Sequence, residues 1–258
     1  MDTQAKAGAS VGGAPLADQA YDLIRKAILR GEIEPGAWLK ISSLQEQFAV
    51  SSSPLREALN RLAAEGLVSN DERRGFRSAT VSIADMEDIT AFRLNIETIS
   101  LRESMERGGD DWEASVIAAF HRLEKLELRS AGENFYFSDE WSERHKEFHM
   151  ALISCCPSPS QISACSRLWD HVERYRRLSI VFRKAKRDPA NEHRAIMKAA
   201  LRKDGDVAVA LLRAHIDKSA SVVRVILTER EQSAEKKTGL RLHPSNRHLH
   251  GKLSRIRL

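Results

Sequence analysis

The chain has 258 residues, which is long enough for two domains, and its 42% of hydrophobic and 30% of charged residues are typical of a globular protein. No apolar run approaches the roughly 18 residues that a membrane-spanning helix needs, and the N-terminus lacks the apolar core of a signal peptide. These features argue against a helical membrane protein and against a secreted one. We therefore expect a cytoplasmic location.

The net charge of +5 does not by itself indicate a nucleic-acid-binding domain, because it is concentrated at one end of the chain. Residues 232–258 hold seven Lys and Arg against one acidic residue, so the rest of the chain is close to neutral. Residues 1–15 are small and polar, with almost no apolar bulk. We expect a disordered N-terminal arm over 1–15 and a disordered basic tail over 232–258.

Residues 16–81 contain the pattern of a small helical module. An amphipathic helix is predicted over 16–30, LADQAYDLIRKAILR, and Gly31 ends it. Pro35-Gly36 is a turn signal, and a short strand is predicted around Trp38 to Ile41. A second helix follows, LQEQFAV, which we expect to be capped by Ser42 or Ser43.

A third helix is predicted within Ser51–Leu67, SSSPLREALNRLAAEGL. The serines and Pro54, placed at the first helical position, suit the start of a helix, and Gly66 suits a left-handed end. Apolar residues at helical spacing predict a buried stripe of Leu55, Ala58, Leu59, Leu62 and Ala63. The exposed face carries two guanidinium groups and a carboxamide, from Arg56, Arg61 and Asn60. Such groups suit phosphates and purine edges in a major groove, although an ordinary amphipathic helix remains an alternative.

A β-hairpin is predicted after this helix, with strands at Leu67-Val68 and Phe76–Val81 separated by SNDERRG. Arg73 and Arg74 lie beside Gly75 in the connecting segment. Narrow minor grooves attract arginine, and glycine lets a backbone approach closely, although charged turns are also common. Three helices followed by a hairpin predict a winged helix-turn-helix whose third helix enters the major groove.

From Ile83 onward the sequence contains six amphipathic segments separated by short breaks, with nothing strand-like between them. They lie at 84–107, 111–130, 139–156, 163–185, 190–203 and 205–230. Helices of this kind bury their apolar faces only by packing together, so residues 82–231 are predicted to form an antiparallel helical bundle. The expected fold class is mainly α, with an N-terminal winged helix-turn-helix followed by an all-α bundle.

Four of the nine histidines occupy positions that suit a metal site. His145 and His149 are four residues apart on one predicted helix, and His193 and His215 lie in two later helices. Imidazoles from three helices that point into a bundle could supply four nitrogen ligands to Zn²⁺ or Ni²⁺. Histidines with this spacing also occur on helix surfaces, so the pattern alone leaves a surface role open.

A metallohydrolase built on the bundle is an alternative function. A zinc protease motif needs a glutamate directly after its first histidine, whereas Lys146 follows His145 here and Glu147 is predicted to point off the ligand face. A DNA-binding protein with a purely structural zinc ion and no effector is a further alternative.

The N-terminal module resembles the winged helix-turn-helix of GntR-family bacterial transcription regulators. The resemblance rests on PG at 35–36, AVS at 49–51, SPLREALNRLAAEGLV and RRGF, in consistent order and spacing. It implies that Arg56, Arg61 and Gly75 contact operator DNA. Many relatives carry an arginine where this chain has Ser52, which affects the base preference. The full predicted DNA-contacting set is Ser53, Arg56, Asn60, Arg61, Arg73, Arg74 and Gly75.

The six predicted helices that follow resemble the FCD domain, the ligand-binding bundle of the FadR subfamily. The resemblance implies that His149, His193 and His215 are metal ligands and that His145 takes the place of an aspartate. Losing that negative charge should favour metals that prefer nitrogen and leave the site more cationic. A cationic site suits an anionic effector, such as a carboxylate that completes the coordination shell.

The resemblance also implies that Arg93, in an R-x-x-x-E segment, faces the ligand cavity and holds an effector carboxylate. Its alternative role is an ion pair with Glu97 on a solvent-exposed face. Arg174 is a second candidate for the effector. We therefore expect a transcription regulator rather than an enzyme, most simply a zinc-containing repressor that binds a palindromic operator as a homodimer and responds to a small anionic metabolite.

Overall fold

The computed structural model describes residues 15–129, 138–181 and 189–238. Within these residues the protein is mainly α, as predicted, with nine helices and one small sheet. The elements in chain order are α1 (Leu16–Arg30), β1 (Trp38–Leu39), α2 (Ile41–Phe48), α3 (Ser52–Ala64), β2 (Val68–Asp71), β3 (Gly75–Ser78), α4 (Ile83–Arg107), α5 (Asp110–Arg129), α6 (Asp139–Leu152), α7 (Pro159–Val181), α8 (Pro189–Leu201) and α9 (Gly205–Thr238).

The first helix has its predicted bounds, whereas the second begins three residues earlier and ends two residues earlier than the predicted LQEQFAV. Helix α1 has the predicted bounds, and Gly31 adopts a left-handed φ of 74° after it. Helix α2 begins at Ile41, so Ser42 and Ser43 lie inside its first turn and the predicted serine cap is wrong. The N-cap position belongs to Lys40, whose side chain makes no capping hydrogen bond. A side-chain cap is not obligatory, because water can bind the free N–H groups of a first turn.

Helix α3 buries the predicted stripe, since Leu55, Ala58, Leu59 and Leu62 are fully buried against α1 and the sheet. Pro54 is the third residue of the helix rather than the first. This position is tolerated because the N–H groups of a first helical turn have no partner within the helix. Gly66 adopts a φ of 76°, as expected for a residue that ends a helix.

The sheet is antiparallel with strand order β1-β3-β2. Strand β2 extends to Asp71, which pairs with Gly75, so the turn is shorter than the predicted SNDERRG connection. The Asp71 carboxylate accepts the backbone N–H groups of Arg73 and Arg74 at 2.9 and 3.1 Å, which stabilises this tight turn. Strand β3 ends at Ser78, before the predicted Val81.

Helices α4 to α9 form the predicted bundle: α4 packs on α7 and α9, α5 on α6 and α8, and α8 on α9. A third apolar cluster lies where the bundle meets the N-terminal module, and we call it the junction cluster. It consists of Met86, Ile89, Tyr175, Ala220, Val223 and Leu227, with Val81 and Ile83 packed against it. In the part of the chain that the structure describes, no helix is long and apolar enough to cross a membrane.

Helix α9 corrects the predicted start of the basic tail. It continues to Thr238, so residues 232–238 are helical rather than disordered. The segment EQSAEKKT is rich in good helix formers, which explains the extension. The predicted N-terminal arm, apart from Pro15, and the tail beyond Thr238 lie outside the described residues.

Candidate metal centre, cavity and DNA-binding surface

Three helices bring the four predicted histidines together inside the bundle. His145 and His149 lie one turn apart on α6, and His193 on α8 and His215 on α9 face them. One nitrogen atom from each of the four imidazoles lies within 4.8 Å of those from the other three. All four side chains are buried, and His193 is fully inaccessible. The spacing of the helices therefore creates one compact nitrogen-rich site.

The state of these imidazoles fits metal ligation. Burial, together with the other three histidines, lowers the pKa of His145 well below its usual range, so this ring is neutral. Within the described residues, neither ring nitrogen of His145 nor of His193 has a hydrogen-bond partner. A buried polar group left unpaired costs about 1–3 kcal/mol. A divalent cation among the four rings would supply the missing partner.

Two carboxylates lie behind the histidines and help to orient them. Glu192 Oε2 is 2.8 Å from His215 Nδ1, and Glu127 Oε1 is 3.6 Å from His193 Nδ1. A carboxylate at Nδ1 leaves Nε2 to face a metal, which is the usual arrangement of a histidine ligand. Sequence reasoning missed both glutamates because each serves a histidine on a different helix. They also offset the extra positive charge that the His145 substitution was expected to leave.

Tryptophan rings form the walls of the site. The Trp141 ring stacks on His145 with centroids 4.4 Å apart, and the Trp169 ring lies 5.0 Å from both His145 and His149. Such packing restricts the rotation of the imidazoles. The ligand set is therefore held in place before any ion binds.

A cavity opens beside His145 and His215, with about 90 Å³ of space available to the centres of water molecules. That is room for several groups of water size. Arg93 lines the cavity and is buried, so its predicted alternative role on a solvent-exposed face is wrong. Its Nε donates to Glu97 Oε1 at 2.5 Å, and its guanidinium lies 5.6 Å from the Trp169 ring. The i,i+4 pair with Glu97 therefore exists, but inside the bundle.

Arg176 is a cavity residue that sequence reasoning missed. It donates to Glu173 at 2.6 Å through both Nε and Nη2 and lies 4.6 Å from the Trp141 ring. Burial alone would raise the pKa of Glu173, but Arg176 and Arg177 lower it, so the carboxylate is charged. The helical spacing of Trp169, Glu173 and Arg176 on α7 could have revealed this shared face.

Arg174 is placed differently from its predicted role. Its Nη1 donates to the carbonyl of Ala79 at 3.2 Å, and it is absent from the cavity lining that the described residues form. Because neighbouring residues on a helix point about 100° apart, Arg174 faces the N-terminal module while Glu173 faces the cavity. The structure gives no support to Arg174 as an effector ligand.

No general base of the zinc protease type accompanies the histidines among the described residues. Glu147 accepts hydrogen bonds from Arg144 at 2.9 and 3.1 Å and is well exposed. Lys146 donates instead to the carbonyl of Ser166. Both side chains lie off the ligand face, as was predicted for Glu147, which removes the geometric basis of the hydrolase alternative.

The predicted DNA-contacting residues of α3 separate into two groups. Ser53, Arg56 and Asn60 are exposed and form one stripe at helical spacing. Arg61 is also exposed, but its Nη1 donates to Asp18 at 2.6 Å and its guanidinium lies 4.4 Å from the Tyr21 ring. The stripe can approach DNA directly, whereas Arg61 is held against α1.

The hairpin tip forms the predicted wing. Arg73 and Arg74 are exposed at the turn, and Gly75 adopts a φ of 90°, which favours glycine. A Cβ atom at Gly75 would meet nothing within 4 Å. The positive φ of the backbone, rather than a lack of space, therefore explains why glycine occupies this position.

Helix α7 joins the bundle to the N-terminal module. Asp170 accepts two hydrogen bonds from Arg25 of α1, at 2.5 and 2.7 Å. His171 Nε2 lies 2.8 Å from the carbonyl oxygen of Glu65, at the C-terminal end of α3. The Tyr175 hydroxyl accepts the Ser82 backbone N–H at 3.2 Å. One face of α7 therefore borders the cavity while another contacts the module that carries α3.

Comparisons with known proteins identify both parts of the chain. Residues 16–77 match the family model described as bacterial regulatory proteins, gntR family, and residues 88–218 match the FCD domain. The chain is 36% identical over 209 residues to the HTH-type transcriptional regulator BphR of Paraburkholderia xenovorans (strain LB400), covering 81% of this chain and 85% of that protein. It is also 36% identical over 200 residues to the HTH-type transcriptional repressor GlaR of Escherichia coli (strain K12), covering 76% of this chain and 90% of that protein.

Solved structures show the same fold. The chain aligns with E. coli McbR/YncC at a TM-score of 0.64 and 17% identity, covering 82% of this chain and 98% of that one. A GntR regulator from Rhodococcus sp. RHA1 aligns at a TM-score of 0.63 and 19% identity, covering 80% and 96%. The class is shown by the two family matches and by the two relatives that are named as transcription regulators, and they confirm the predicted class. The chain belongs to the GntR family and is a DNA-binding transcription regulator with an FCD effector-binding domain.

Proposed function

We propose that this regulator is a metal-dependent repressor whose affinity for operator DNA is controlled by a small carboxylic acid bound in the bundle. The observation that carries the proposal is the buried cluster of His145, His149, His193 and His215 beside a cavity lined by Arg93. Four buried imidazoles, two of which (His145 and His193) have no hydrogen-bond partner at either ring nitrogen among the described residues, suit a cation, and the cavity gives an acid access to that cation.

The ligand chemistry favours zinc, with nickel as the alternative. Four neutral nitrogen donors suit borderline cations better than Mn²⁺ or Ca²⁺, which prefer oxygen. A bound ion of this kind would supply a Lewis-acidic centre that attracts a carboxylate. Arg93 and Arg176 are each already paired with a glutamate. They would donate further N–H groups to the same carboxylate of the acid.

Helix α7 provides a route from the cavity to the DNA-binding surface. Trp169, Glu173 and Arg176 face the cavity, while Asp170 and His171 contact α1 and the end of α3. An acid that shifts α7 by a small amount would therefore change the position of the module that carries the DNA-contacting residues. Such a shift couples the two sites without any contact between acid and DNA.

The DNA-binding part of the proposal assigns residues 16–81 to one operator half-site. The α3 stripe would read base edges, and the wing would contact the neighbouring backbone or minor groove. The contacting residues would be Ser53, Arg56, Asn60, Arg61, Arg73, Arg74 and Gly75. A homodimer on a palindromic operator would pair two such modules. Repression is supported by the relative GlaR, which is named a transcriptional repressor.

Elemental analysis of the full chain purified without added chelator tests the metal site. We expect about one zinc or nickel ion per chain and its loss when both His149 and His193 are replaced by alanine. His121→Ala is a matched control, because His121 is exposed on α5. A native protein without metal, or an ion retained by the double variant, would contradict the proposal.

A structural ion without an effector is the second candidate, because four imidazoles complete the usual tetrahedral shell of a structural zinc site. The cavity argues for the first candidate, since a closed structural site has no need of an opening lined by Arg93 and Arg176. Titration with acids separates the two candidates: a purely structural ion predicts that operator affinity does not respond to any of them.

A further inference from the structure

The cavity beside the histidines has two chemically different ends. Its polar end contains His145, His215, Arg93, Glu173 and Arg176. Its other end is lined mainly by apolar side chains and the Tyr175 phenol. The apolar residues are Met86, Ile89, Val172, Ala220, Val222 and Val223. Thr90 and Ser219 also line the cavity, but their hydroxyls already donate to the backbone carbonyls of Met86 and His215. Ligand sites that are apolar with a few convergent polar groups bind molecules of matching polarity.

From this division we infer that the effector is a monocarboxylic acid with an apolar tail, aliphatic or aromatic, rather than a dicarboxylate or a sugar acid. The inference rests on the proposed function, because the carboxylate end is assigned to the histidine cluster and the two arginines. What it adds is the chemical class of the rest of the molecule.

Charge argues against a second carboxylate. The cations that line the polar end are already balanced, since Arg93 pairs with the buried Glu97 and Arg176 pairs with Glu173. Among the described lining residues, the apolar end contains no basic side chain. A second carboxylate placed there would lose its hydration without gaining a partner, which is costly. A hydroxylated tail would pay a smaller penalty of the same kind.

The apolar end also explains how a tail could be sensed. Met86, Ile89, Tyr175, Ala220 and Val223 line the cavity and belong to the junction cluster. Val81 and Ile83, which connect the wing to α4, pack against the same cluster. A tail that enters the cavity therefore presses on the residues that join the two domains, whereas a short acid does not reach them.

A chain-length series on the full-length, zinc-loaded protein tests the inference. Trp141 and Trp169 line the cavity, so tryptophan fluorescence reports occupancy directly. Propanoate, pentanoate and heptanoate are titrated in turn, and glutarate is the matched partner of pentanoate because it replaces the terminal methyl with a carboxylate. We expect affinity to rise about fourfold for each added methylene until the cavity is filled. Glutarate should bind at least tenfold more weakly than pentanoate.

Two variants locate the tail. Val222 is half-buried and lines the cavity, so Val222→Phe should fill the apolar end and flatten the dependence on chain length. Val225→Phe is the matched control on the same helix, because Val225 is 58% exposed and should leave the series unchanged. The melting temperature of each variant shows whether it is folded. If Val222→Phe does not fold, the chain-length series on the unaltered protein still tests the inference.

The outcomes separate this inference from the proposed function. Equal affinities across the series, or glutarate binding as tightly as pentanoate, would overturn the inference while leaving a carboxylate-binding metal site intact. Zinc-dependent binding that strengthens with chain length would support both. Fluorescence that responds to none of the acids, in a protein that retains no zinc after loading, would overturn the proposed function itself.

Discussion

The two functional regions of this protein hold their polar side chains in opposite ways. On α3, Arg56 and Asn60 are exposed and make no hydrogen bond within the described residues. In the bundle, the ring nitrogens of His145 and His193 are buried without a hydrogen-bond partner among the described residues, and the cavity arginines Arg93 and Arg176 are already paired with glutamates. The exposed side chains of α3 therefore carry no free-energy cost when no DNA is bound. The buried imidazoles, in contrast, destabilise the fold until their ring nitrogens gain a partner.

This difference predicts which region depends on a bound partner for its stability. An exposed arginine is solvated by water, so its removal should affect DNA binding and leave the fold intact. Buried imidazoles without hydrogen-bond partners, as at His145 and His193, weaken the fold, and a cation that binds only the folded state would restore its stability.

Removing the metal should lower the stability of the bundle more than any surface substitution. An ion present at a thousand times its Kd stabilises the folded state by ~4 kcal/mol. Each kcal/mol shifts the midpoint of a domain of this size by about 2–4 °C, so chelation should lower the melting temperature by roughly 10 °C. Calorimetry with and without chelator measures this shift.

Two variants make the calorimetric test specific. His193→Ala should melt at the same temperature with and without chelator, because it no longer holds the ion. His121→Ala, an exposed histidine on α5, should behave like the unaltered protein. If chelator leaves the melting temperature of the unaltered protein unchanged, the buried histidines do not hold a metal.

Replacing Arg56 by alanine should weaken specific operator binding by ~1–3 kcal/mol without changing the melting temperature. The duplex is obtained by selection from random sequences, and binding is measured by fluorescence anisotropy. Arg122→Ala on the outer surface of α5 is the control and should have no effect on affinity. Unchanged affinity in Arg56→Ala would remove α3 as the reading helix.

Breaking the contact between α7 and α1 should uncouple the two regions. In Asp170→Asn the bidentate partner of Arg25 is weakened, so an acid should still bind but should change operator affinity less. Coupling residues of this kind contribute about 0.5–2 kcal/mol. Arg102→Met removes a comparable ion pair between α4 and α9, away from the N-terminal module, and should leave the coupling intact. If an acid changes the operator affinity of Asp170→Asn as much as that of the unaltered protein, this contact between α7 and α1 does not transmit the response.

The smallest effect is expected at the wing. Replacing both Arg73 and Arg74 by alanine removes two exposed cations, so the slope of log affinity against log salt should decrease by about 2. Discrimination between operator and random DNA should change little if these residues contact phosphates. A changed base preference with an unchanged slope would instead assign them to direct readout of bases.

Much of this architecture could be predicted from periodicity and turn residues. The bounds of α1 and the buried stripe of α3 follow from local spacing, and all six bundle helices lie where the amphipathic segments predicted them. Errors occurred at the ends of elements, as at the start of α2, which has no side-chain cap, and at the turn that the local Asp71 hydrogen bonds shorten.

The histidine cluster shows the same limit. The helical spacing of His145 and His149 left a surface role open, and it was the resemblance to the FCD domain that implied a shared site for the four histidines, which the structure brings together. Periodicity could not show that Glu192 supports His215, that Arg176 lines the cavity, or that Arg174 turns toward Ala79. Each of these contacts depends on how one helix is rotated against its neighbours, which single-helix patterns do not determine.

The link between the two regions is tested most directly by operator affinity measured in the four combinations of zinc or chelator, with or without heptanoate. If the acid acts through the histidine cluster, heptanoate should weaken operator binding by about 1–3 kcal/mol when zinc is present and should have no effect with chelator. Equal affinities in all four combinations, or a response to heptanoate that chelator does not abolish, would contradict control of DNA binding by the metal site.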